Sequence, residues 1–194
     1  MTPHILIPAK AFALAKSRLA PTIDAAARAA LSRDFLRHVI GVATDPLLAA
    51  NVRVVSASPD VLVFAAKLGA IAERESASGH NPALEAAMTS LPLDRPVLIL
   101  SADLPLLSVE DIAALMEAGR AADVVIATDH SGEGSNALWL ARPSLIPLRF
   151  GPGSCAAHMA QAAQAGLRAR IVTRVGLARD IDLPIDLEFL PLRA

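Results

Sequence analysis

The sequence predicts an α/β fold, a three-layer α/β/α sandwich around a mostly parallel but mixed sheet. Predicted strands and helices alternate through the first two-thirds of the chain, a pattern typical of helices packed on both faces of a sheet. Residues 96–101 (PVLILS) form an apolar run, as expected of a central parallel strand that is covered on both faces. The predicted strands lie closer together in the second half, which indicates a mixed sheet.

The first half of the chain contains three further strands and three helices. Asp24 is placed to cap a helix over about 25–41, in which apolar residues recur every four positions. Pro59 begins a second helix that Gly69 ends, and Pro82 lies in the first turn of a third. Short apolar runs predict strands over residues 4–9, 52–57 and 70–72.

The second half repeats these signals at closer spacing. Ser108 is placed to cap a helix that reaches about residue 121, Ser154 begins a helix that ends at Gly166, and Pro184 begins a short terminal helix. Strands are predicted over residues 123–128, 137–142 and 170–175. No repeat or linker interrupts the pattern, and the length of 194 residues predicts a single domain over 1–194.

Composition narrows the possible function classes. The net charge is −1 and aromatic residues make up 3%, which argues against a large nucleic-acid-binding surface. Apolar content is high at 54%, yet no uncharged apolar run is long enough to span a bilayer, and the N-terminus lacks the basic region of a signal peptide. We expect a cytoplasmic protein without membrane contact, and the apolar content is compatible with a homodimer. The single cysteine, Cys155, is expected to be a buried structural thiol.

The loop after the first predicted strand concentrates positive charge. The chain has three lysines, and two of them, Lys10 and Lys16, lie here together with Arg18. Ligands of open α/β sheets collect at the carboxyl ends of strands, where such cations could bind phosphate. A solvated surface is an equally good interpretation of this spacing alone.

Three other segments could contribute to the same edge of the sheet. Asp103 follows the central strand, where a carboxylate is costly unless it is paired. Asp182 precedes the terminal helix, and two carboxylates with phosphate oxygens are typical of a magnesium site. Glycine-rich turns at 132–136 and 150–154 complete the set, the second at a predicted helix start that favours anions.

Six motifs together resemble the 2-phospho-L-lactate guanylyltransferases. They occur in the same order as in that family and cover nearly the whole chain: IPAKAFALAKSRLAP (7–21), GHNPALEAA (79–87), SADLPLL (101–107), GEGSNAL (132–138), FGPGS with His158 (150–158) and DIDLPIDL (180–187). The resemblance implies a nucleotide-diphospho-sugar transferase-like fold. It also implies transfer of GMP from GTP to 2-phospho-L-lactate, phosphoenolpyruvate or 3-phospho-D-glycerate, in the synthesis of coenzyme F-420.

The resemblance also implies a role for each candidate residue. Wider relatives bind triphosphate with a glycine-rich first loop, whereas this loop lacks glycine and would use side-chain cations. The implied GTP-phosphate ligands are Lys10, Lys16 and Arg18. The implied magnesium ligands are Asp103 and Asp182. The implied acceptor residues are Gly151, Ser154, Ser135 and Asn136, with Asn81 on the guanine side.

Two other functions fit the same residues. A nucleotidyltransferase for another acceptor, such as a molybdopterin or a sugar phosphate, is the nearer alternative. A non-catalytic nucleotide-binding regulator is the other, and the presence of both Asp103 and Asp182 argues against it. The three candidate acids all carry a carboxylate and a phosphate, so the sequence leaves the choice between them open.

Overall fold

Seven strands form one mixed sheet in the computed structural model, which describes residues 2–190. The order across the sheet is β3-β2-β1-β4-β6-β5-β7, and β6 runs antiparallel to both of its neighbours. The remaining pairs of neighbouring strands are parallel. The strands are β1 (His4–Pro8), β2 (Asn51–Ser56), β3 (Ile71–Arg74), β4 (Val97–Leu100), β5 (Val124–Thr128), β6 (Ser135–Leu140) and β7 (Ala169–Val172).

Six α-helices and three 3-10 helices connect these strands in the described residues. The α-helices are α1 (Ala25–Ala43), α2 (Pro59–Lys67), α3 (His80–Thr89), α4 (Val109–Ala118), α5 (Ser154–Gln164) and α6 (Val175–Ala178). The 3-10 helices are Phe12–Leu14, Ser17–Leu19 and Pro184–Phe189. None of the helices within residues 2–190 is long and apolar enough to cross a membrane.

The core lies on both faces of the sheet, which confirms the predicted three-layer sandwich. Alternate residues of a strand point to opposite faces. Ile5 and Ile7 of β1 therefore pack with α1, α2 and α4 on one face, whereas Leu6 packs with α3 and α5 on the other. All four residues of β4 are buried, as the apolar run predicted.

Local capping signals behave as predicted at two helix starts. The Asp24 side chain accepts a hydrogen bond from the Ala27 backbone nitrogen at 2.8 Å. Ser108 and Asp111 form a reciprocal capping box at the start of α4. Cys155 is buried, as expected, and this burial raises the pKa of its thiol.

The sequence prediction is wrong at the end of β7. The predicted strand extends to residue 175, whereas β7 ends at Val172 and Val175 begins the short helix α6, which the sequence did not predict. Residues 170–175 contain only three apolar side chains, and this pattern does not separate a strand from a helix. The change of direction matters because α6 leads the chain back to the carboxyl ends of β1 and β4, where Asp182 lies.

Candidate active site

A cavity of about 290 Å³ opens at the carboxyl ends of β1, β3 and β4. This is the edge of the sheet at which the sequence placed its candidate ligands. The cavity brings together residues that are far apart in the sequence: Pro8, Ala9, Lys10, Phe12, Ala15, Lys16, Ser32, Phe35, Leu36, Glu75, His80, Ser101, Ala102, Asp103 and Asp182. Four of the predicted site residues, Lys10, Lys16, Asp103 and Asp182, are among them.

Lys16 bridges the two carboxylates that were predicted to hold metal. Its ammonium group donates hydrogen bonds to Asp103 Oδ2 and, at 3.0 Å, to Asp182 Oδ1. The Lys16 side chain is only 6% exposed, so the charge needs these partners. Burial alone would lower the pKa of Lys16, but the Asp103 and Asp182 carboxylates outweigh burial and raise it. Lys16 is therefore a fixed cation at the centre of the site.

The backbone of the first loop is adapted to this contact. Lys16 adopts a left-handed conformation with φ of 55°, which is uncommon for a residue with a side chain. It lies between the two 3-10 helices of the loop and directs its ammonium group toward residues 87 and 166 positions away in the sequence. The glycine-free loop thus uses a lysine at a turn position that glycine usually fills.

The other two predicted cations lie on either side of Lys16. The Arg18 guanidinium is 70% exposed, and its Nη1 lies 3.3 Å from Asp182 Oδ2. Lys10 lines the cavity near His80, where burial and the Lys10 charge together lower the pKa of the imidazole. Lys10 and Lys16 therefore line the cavity, whereas Arg18 lies outside its lining and reaches the cluster only through Asp182.

A third carboxylate, Asp180, belongs to the same cluster. Burial raises the pKa of Asp180, a hydrogen bond from Asn136 opposes the shift, and the charges of Asp103 and Asp182 add to it. Asp180 lies in the DIDLPIDL motif, but only Asp182 of that motif was predicted to bind metal. The spacing of Asp180 and Asp182 is visible in the sequence and could have indicated a pair of carboxylates. Only the folded chain shows that this pair lies beside Asp103.

Asn136 connects this carboxylate cluster to α6. Its amide nitrogen lies 3.0 Å from both Asp180 Oδ1 and the Leu177 carbonyl oxygen. Asn136 was predicted to contact substrate, and the structure places its donors on protein groups instead. It does not line the cavity described above. Its contacts support a role in holding Asp180 in place.

Ser135 and His158 form a buried neutral pair. His158 lies in α5, the helix that follows the turn at Gly151–Ser154, which we call the acceptor turn. His158 Nε2 accepts a hydrogen bond from the Arg149 backbone nitrogen at 3.0 Å. Its proton must therefore lie on Nδ1, which is 3.1 Å from Ser135 Oγ and donates to it. Burial lowers the pKa of His158 to about 4, so the ring is neutral at neutral pH. The Ser135 hydroxyl hydrogen remains available for a further acceptor.

Asn81 clamps the loop that leads into the acceptor turn. Its side-chain nitrogen donates to the Phe150 carbonyl oxygen at 3.1 Å, and its oxygen accepts from the Phe150 nitrogen at 2.9 Å. The Phe150 ring packs edge-to-face against both His80 and His158. Asn81 was predicted on the guanine side, whereas its amide groups bind this loop, and only its neighbour His80 lines the cavity.

The turn before α5 depends on glycine and leaves Ser154 buried. Gly151 and Gly153 have φ angles of 136° and 69°, in the region that favours glycine. Gly153 caps α5 without a side-chain hydrogen bond, so Ser154 is the first helical residue rather than the cap. The Ser154 and Cys155 backbone nitrogens donate to the carbonyl oxygens of Gly151 and Glu133. These two amides are therefore already engaged, contrary to the expectation that free amides face the acceptor.

The fold resembles that of nucleotide-sugar enzymes of known structure. A protein from Desulfovibrio desulfuricans G20 that is assigned to the nucleotide-diphospho-sugar transferases superposes with a TM-score of 0.80 at 18% identity, covering 96% of this chain and 85% of that one. Glucosyl-3-phosphoglycerate synthase from Mycobacterium tuberculosis, in a complex with Mn²⁺ and uridine diphosphate, has a TM-score of 0.66 at 15% identity. The superposition covers 97% of this chain and 75% of the synthase chain. The fold therefore defines a nucleotide-diphospho-sugar transferase-like protein.

Sequence comparison identifies the family within that fold class. The family model described as "Guanylyl transferase CofC like" matches residues 3–193, and the chain belongs to this family. Phosphoenolpyruvate guanylyltransferase of Rubrobacter xylanophilus is 39% identical over 190 residues, which cover 96% of this chain and 92% of that protein. 2-Phospho-L-lactate guanylyltransferase of Methanothermobacter thermautotrophicus is 37% identical over 185 residues, covering 94% and 81%. The resemblance inferred from the motifs is confirmed.

Proposed function

We propose that this chain transfers GMP from GTP to the phosphate group of a small three-carbon phospho-acid and releases pyrophosphate. The observation that carries the proposal is the Lys16 ammonium group held between Asp103 and Asp182 at the edge of the cavity. It puts a cation and two carboxylates together where phosphate and metal must meet. The names of the relatives support GTP as donor and either phosphoenolpyruvate or 2-phospho-L-lactate as acceptor, with 3-phospho-D-glycerate as the third candidate.

The chemistry requires charge neutralisation rather than a general base. An oxygen of the acceptor phosphate attacks the α-phosphorus of GTP, and the bond to the oxygen that bridges the α- and β-phosphorus atoms breaks. The second pKa of a phosphate monoester is about 6, so the nucleophile is mostly deprotonated at neutral pH. Lys10, Lys16 and Arg18 reduce the repulsion between the two anions and align them in line.

Magnesium is the metal that we propose for Asp103 and Asp182. Both side chains supply the oxygen ligands that Mg²⁺ prefers, and both are partly exposed, at 28% and 44%. Within residues 2–190 no three His, Cys, Asp or Glu side chains form a metal-binding group by themselves. Phosphate oxygens of GTP would therefore complete the coordination, and the bound ion supplies positive charge beside the reacting phosphates. With a metal ion on the two carboxylates, the Lys16 ammonium group would be free to contact the phosphate chain of GTP.

The acceptor is proposed to bind between Ser135 and the turn that begins α5. Because the Ser154 and Cys155 amides are engaged, the α5 dipole rather than free amides would favour an anion at Gly151 and Ser154. The Ser135 hydroxyl accepts from His158 and so donates its own hydrogen to an acceptor oxygen. Asn136 and Asn81 are not proposed to contact the acceptor themselves. Asn136 holds Asp180 in place, and Asn81 holds the Phe150 backbone.

The remaining proposals concern the setting of the reaction. GTP and phospho-acids are cytoplasmic metabolites, so we place the protein in the cytoplasm, in the synthesis of coenzyme F-420 that the family resemblance implies. We also propose a homodimer, with which the exposure of apolar side chains such as Leu47 at 85% and Leu14 at 73% is compatible. Neither a nucleic acid nor a membrane is proposed as a partner.

A substrate screen tests the proposed activity. The purified protein with Mg²⁺ is given GTP, ATP, CTP or UTP together with each of the three acids or, as alternative acceptors, a sugar phosphate and a molybdopterin, and pyrophosphate release is measured. We expect release with GTP and at least one acid, and less with ATP at subsaturating concentration. Release only with a sugar phosphate or a molybdopterin would overturn the acceptor assignment. The absence of release under every condition, with intact GTP binding, would favour a nucleotide-binding regulator.

A further inference from the structure

Glu75 is the one cavity-lining carboxylate of the described residues that lies away from the Lys16 cluster. It follows β3, and its backbone nitrogen donates to the Ser56 carbonyl oxygen at 3.1 Å, which extends the pairing of β2 and β3. Its side chain lines the cavity together with Lys10 and His80. No ion pair or side-chain hydrogen bond engages its carboxylate within residues 2–190. Glu75 is therefore an unpaired acceptor in the wall of a site built for a polyanion.

The sheet order sets how far this carboxylate lies from the phosphate end. Asp103 follows β4, Lys10 follows β1 and Glu75 follows β3, and the order is β3-β2-β1-β4. Neighbouring strands are about 4.8 Å apart, so the ends of β3 and β4 are separated by about 14 Å. A nucleotide whose phosphates lie at Lys10, Lys16 and Asp103 therefore extends its base toward Glu75.

The charge of Glu75 restricts which part of the ligand can face it. An ionised carboxylate only accepts hydrogen bonds, and it repels phosphate. Guanine presents two adjacent donors on one edge, N1–H and the 2-amino group, which match the two oxygens of a carboxylate. Adenine has an acceptor at N1, cytosine has one at N3, and the single donor of uracil lies between two carbonyl oxygens. Guanine is thus the base that this carboxylate favours.

We propose that Glu75 selects guanine by accepting hydrogen bonds from N1–H and the 2-amino group of the base. This inference rests on the proposed use of GTP and assigns the base-reading position of the same site. Pro8 and Ala9, which also line the cavity, provide an apolar wall for the face of the base.

The test compares GTP with ITP, which keeps N1–H and lacks only the 2-amino group. Dissociation constants of both nucleotides with Mg²⁺ are measured by calorimetry, without acceptor, for the native protein and for Glu75→Ala and Glu75→Gln. A hydrogen bond to a charged group changes affinity by about 10- to 100-fold. We expect the native protein to prefer GTP over ITP by about tenfold or more, and Glu75→Ala to bind both equally. Glu73→Gln is the matched control because Glu73 lies two residues earlier, outside the cavity lining, and pairs with Arg53.

The outcomes separate this inference from the proposed activity. Equal binding of GTP and ITP by the native protein would overturn the role of Glu75 even if guanylyl transfer occurs. An unchanged GTP preference in a folded Glu75→Ala or Glu75→Gln variant would do the same, with thermal unfolding as the check on folding. A preference that collapses in Glu75→Ala, without pyrophosphate release from any phospho-acid, would support guanine selection and overturn the proposed transfer.

Discussion

The two halves of the candidate site are held together by different forces. Around Lys16, ion pairs hold the side chains in place. One buried ammonium group bridges Asp103 and Asp182, and both carboxylates remain partly exposed to solvent. Around the turn at Gly151–Ser154, hydrogen bonds between neutral groups hold the side chains in place. His158 is hydrogen-bonded to Ser135 and to the Arg149 backbone, and Asn81 is hydrogen-bonded to the Phe150 backbone. Under the proposed function, Lys16, Asp103 and Asp182 would exchange partners when GTP and a metal ion bind, whereas the hydrogen bonds around the acceptor turn would stay as they are.

This difference predicts which substitutions alter chemistry and which alter stability. Removing a carboxylate from the Lys16 cluster should change metal and nucleotide binding most, and it also takes away one of the two partners of the buried Lys16 ammonium group. Removing a buried neutral group from the acceptor half should affect the fold as well.

Asp103→Asn should lower pyrophosphate release by about 1,000-fold, the upper range for loss of one charge-stabilising group in an active site. The substitution keeps the shape of the side chain and removes the charge that pairs with Lys16 and that we propose holds magnesium. Steady-state turnover and thermal unfolding of the variant and the native protein are the measurements. Turnover like that of the native protein would remove Asp103 from the site.

His158 should make the fold sensitive to acid. Its pKa falls from 6.5 to about 4 in the folded state because the ring is buried. The neutral ring therefore stabilises the fold fully above pH 6.5, and this contribution is lost as the pH falls toward 4. The full shift corresponds to about 3 kcal/mol of unfolding free energy. Urea unfolding at pH 7 and pH 4.5 should show this loss in the native protein and less of it in His158→Gln. His130→Gln is the control, since His130 is exposed, and it should retain the full loss.

Lys16→Met should have opposite effects on the two ligands. Without the ammonium group, Asp103 and Asp182 are free to bind a cation, so Mn²⁺ should bind about tenfold more tightly in the absence of nucleotide. GTP should bind more weakly because the ammonium group that we propose as a phosphate ligand is lost. Electron paramagnetic resonance measures Mn²⁺ binding, and calorimetry measures GTP binding.

Lys10→Met provides the comparison for that experiment. Lys10 lines the same cavity but makes no ion pair with these carboxylates among the described residues. The Lys10→Met substitution should weaken GTP binding and leave Mn²⁺ binding unchanged. Equal effects of both variants on Mn²⁺ would contradict competition between Lys16 and metal.

Ser154→Ala should raise the KM for the phospho-acid by about tenfold, the lower range for a lost hydrogen bond to a charged ligand. The KM for GTP should stay the same. Ser154 does not cap α5, so loss of a cap cannot explain such a change. Ser108→Ala is the matched control because Ser108 does cap a helix: it should cost about 1 kcal/mol of stability and leave both KM values unaltered. An unchanged acceptor KM in Ser154→Ala would place the acceptor elsewhere.

Much of the fold was predictable from the sequence because its signals are local. The apolar run of β4 and the caps at Asp24 and Ser108 depend on residues within one turn or one strand. The concentration of cations in the first loop is likewise visible in the sequence, and so is the family resemblance. The end of β7 was missed because residues 170–175 mix apolar and polar side chains without a period that separates strand from helix.

The pairing of side chains within the site was decided only by the tertiary structure. Lys16 was expected to bind phosphate, and the folded chain shows that its partners here are carboxylates 87 and 166 positions away. Asn81 was expected near guanine, and its amide instead binds the backbone of Phe150, 69 positions away. A polar side chain takes the partner that the crossovers of the sheet bring within hydrogen-bond distance, and burial makes that pairing obligatory. The sequence by itself determined which chemical groups are present at this edge of the sheet, whereas the packing of β1, β4 and α6 determined which of them neutralise one another.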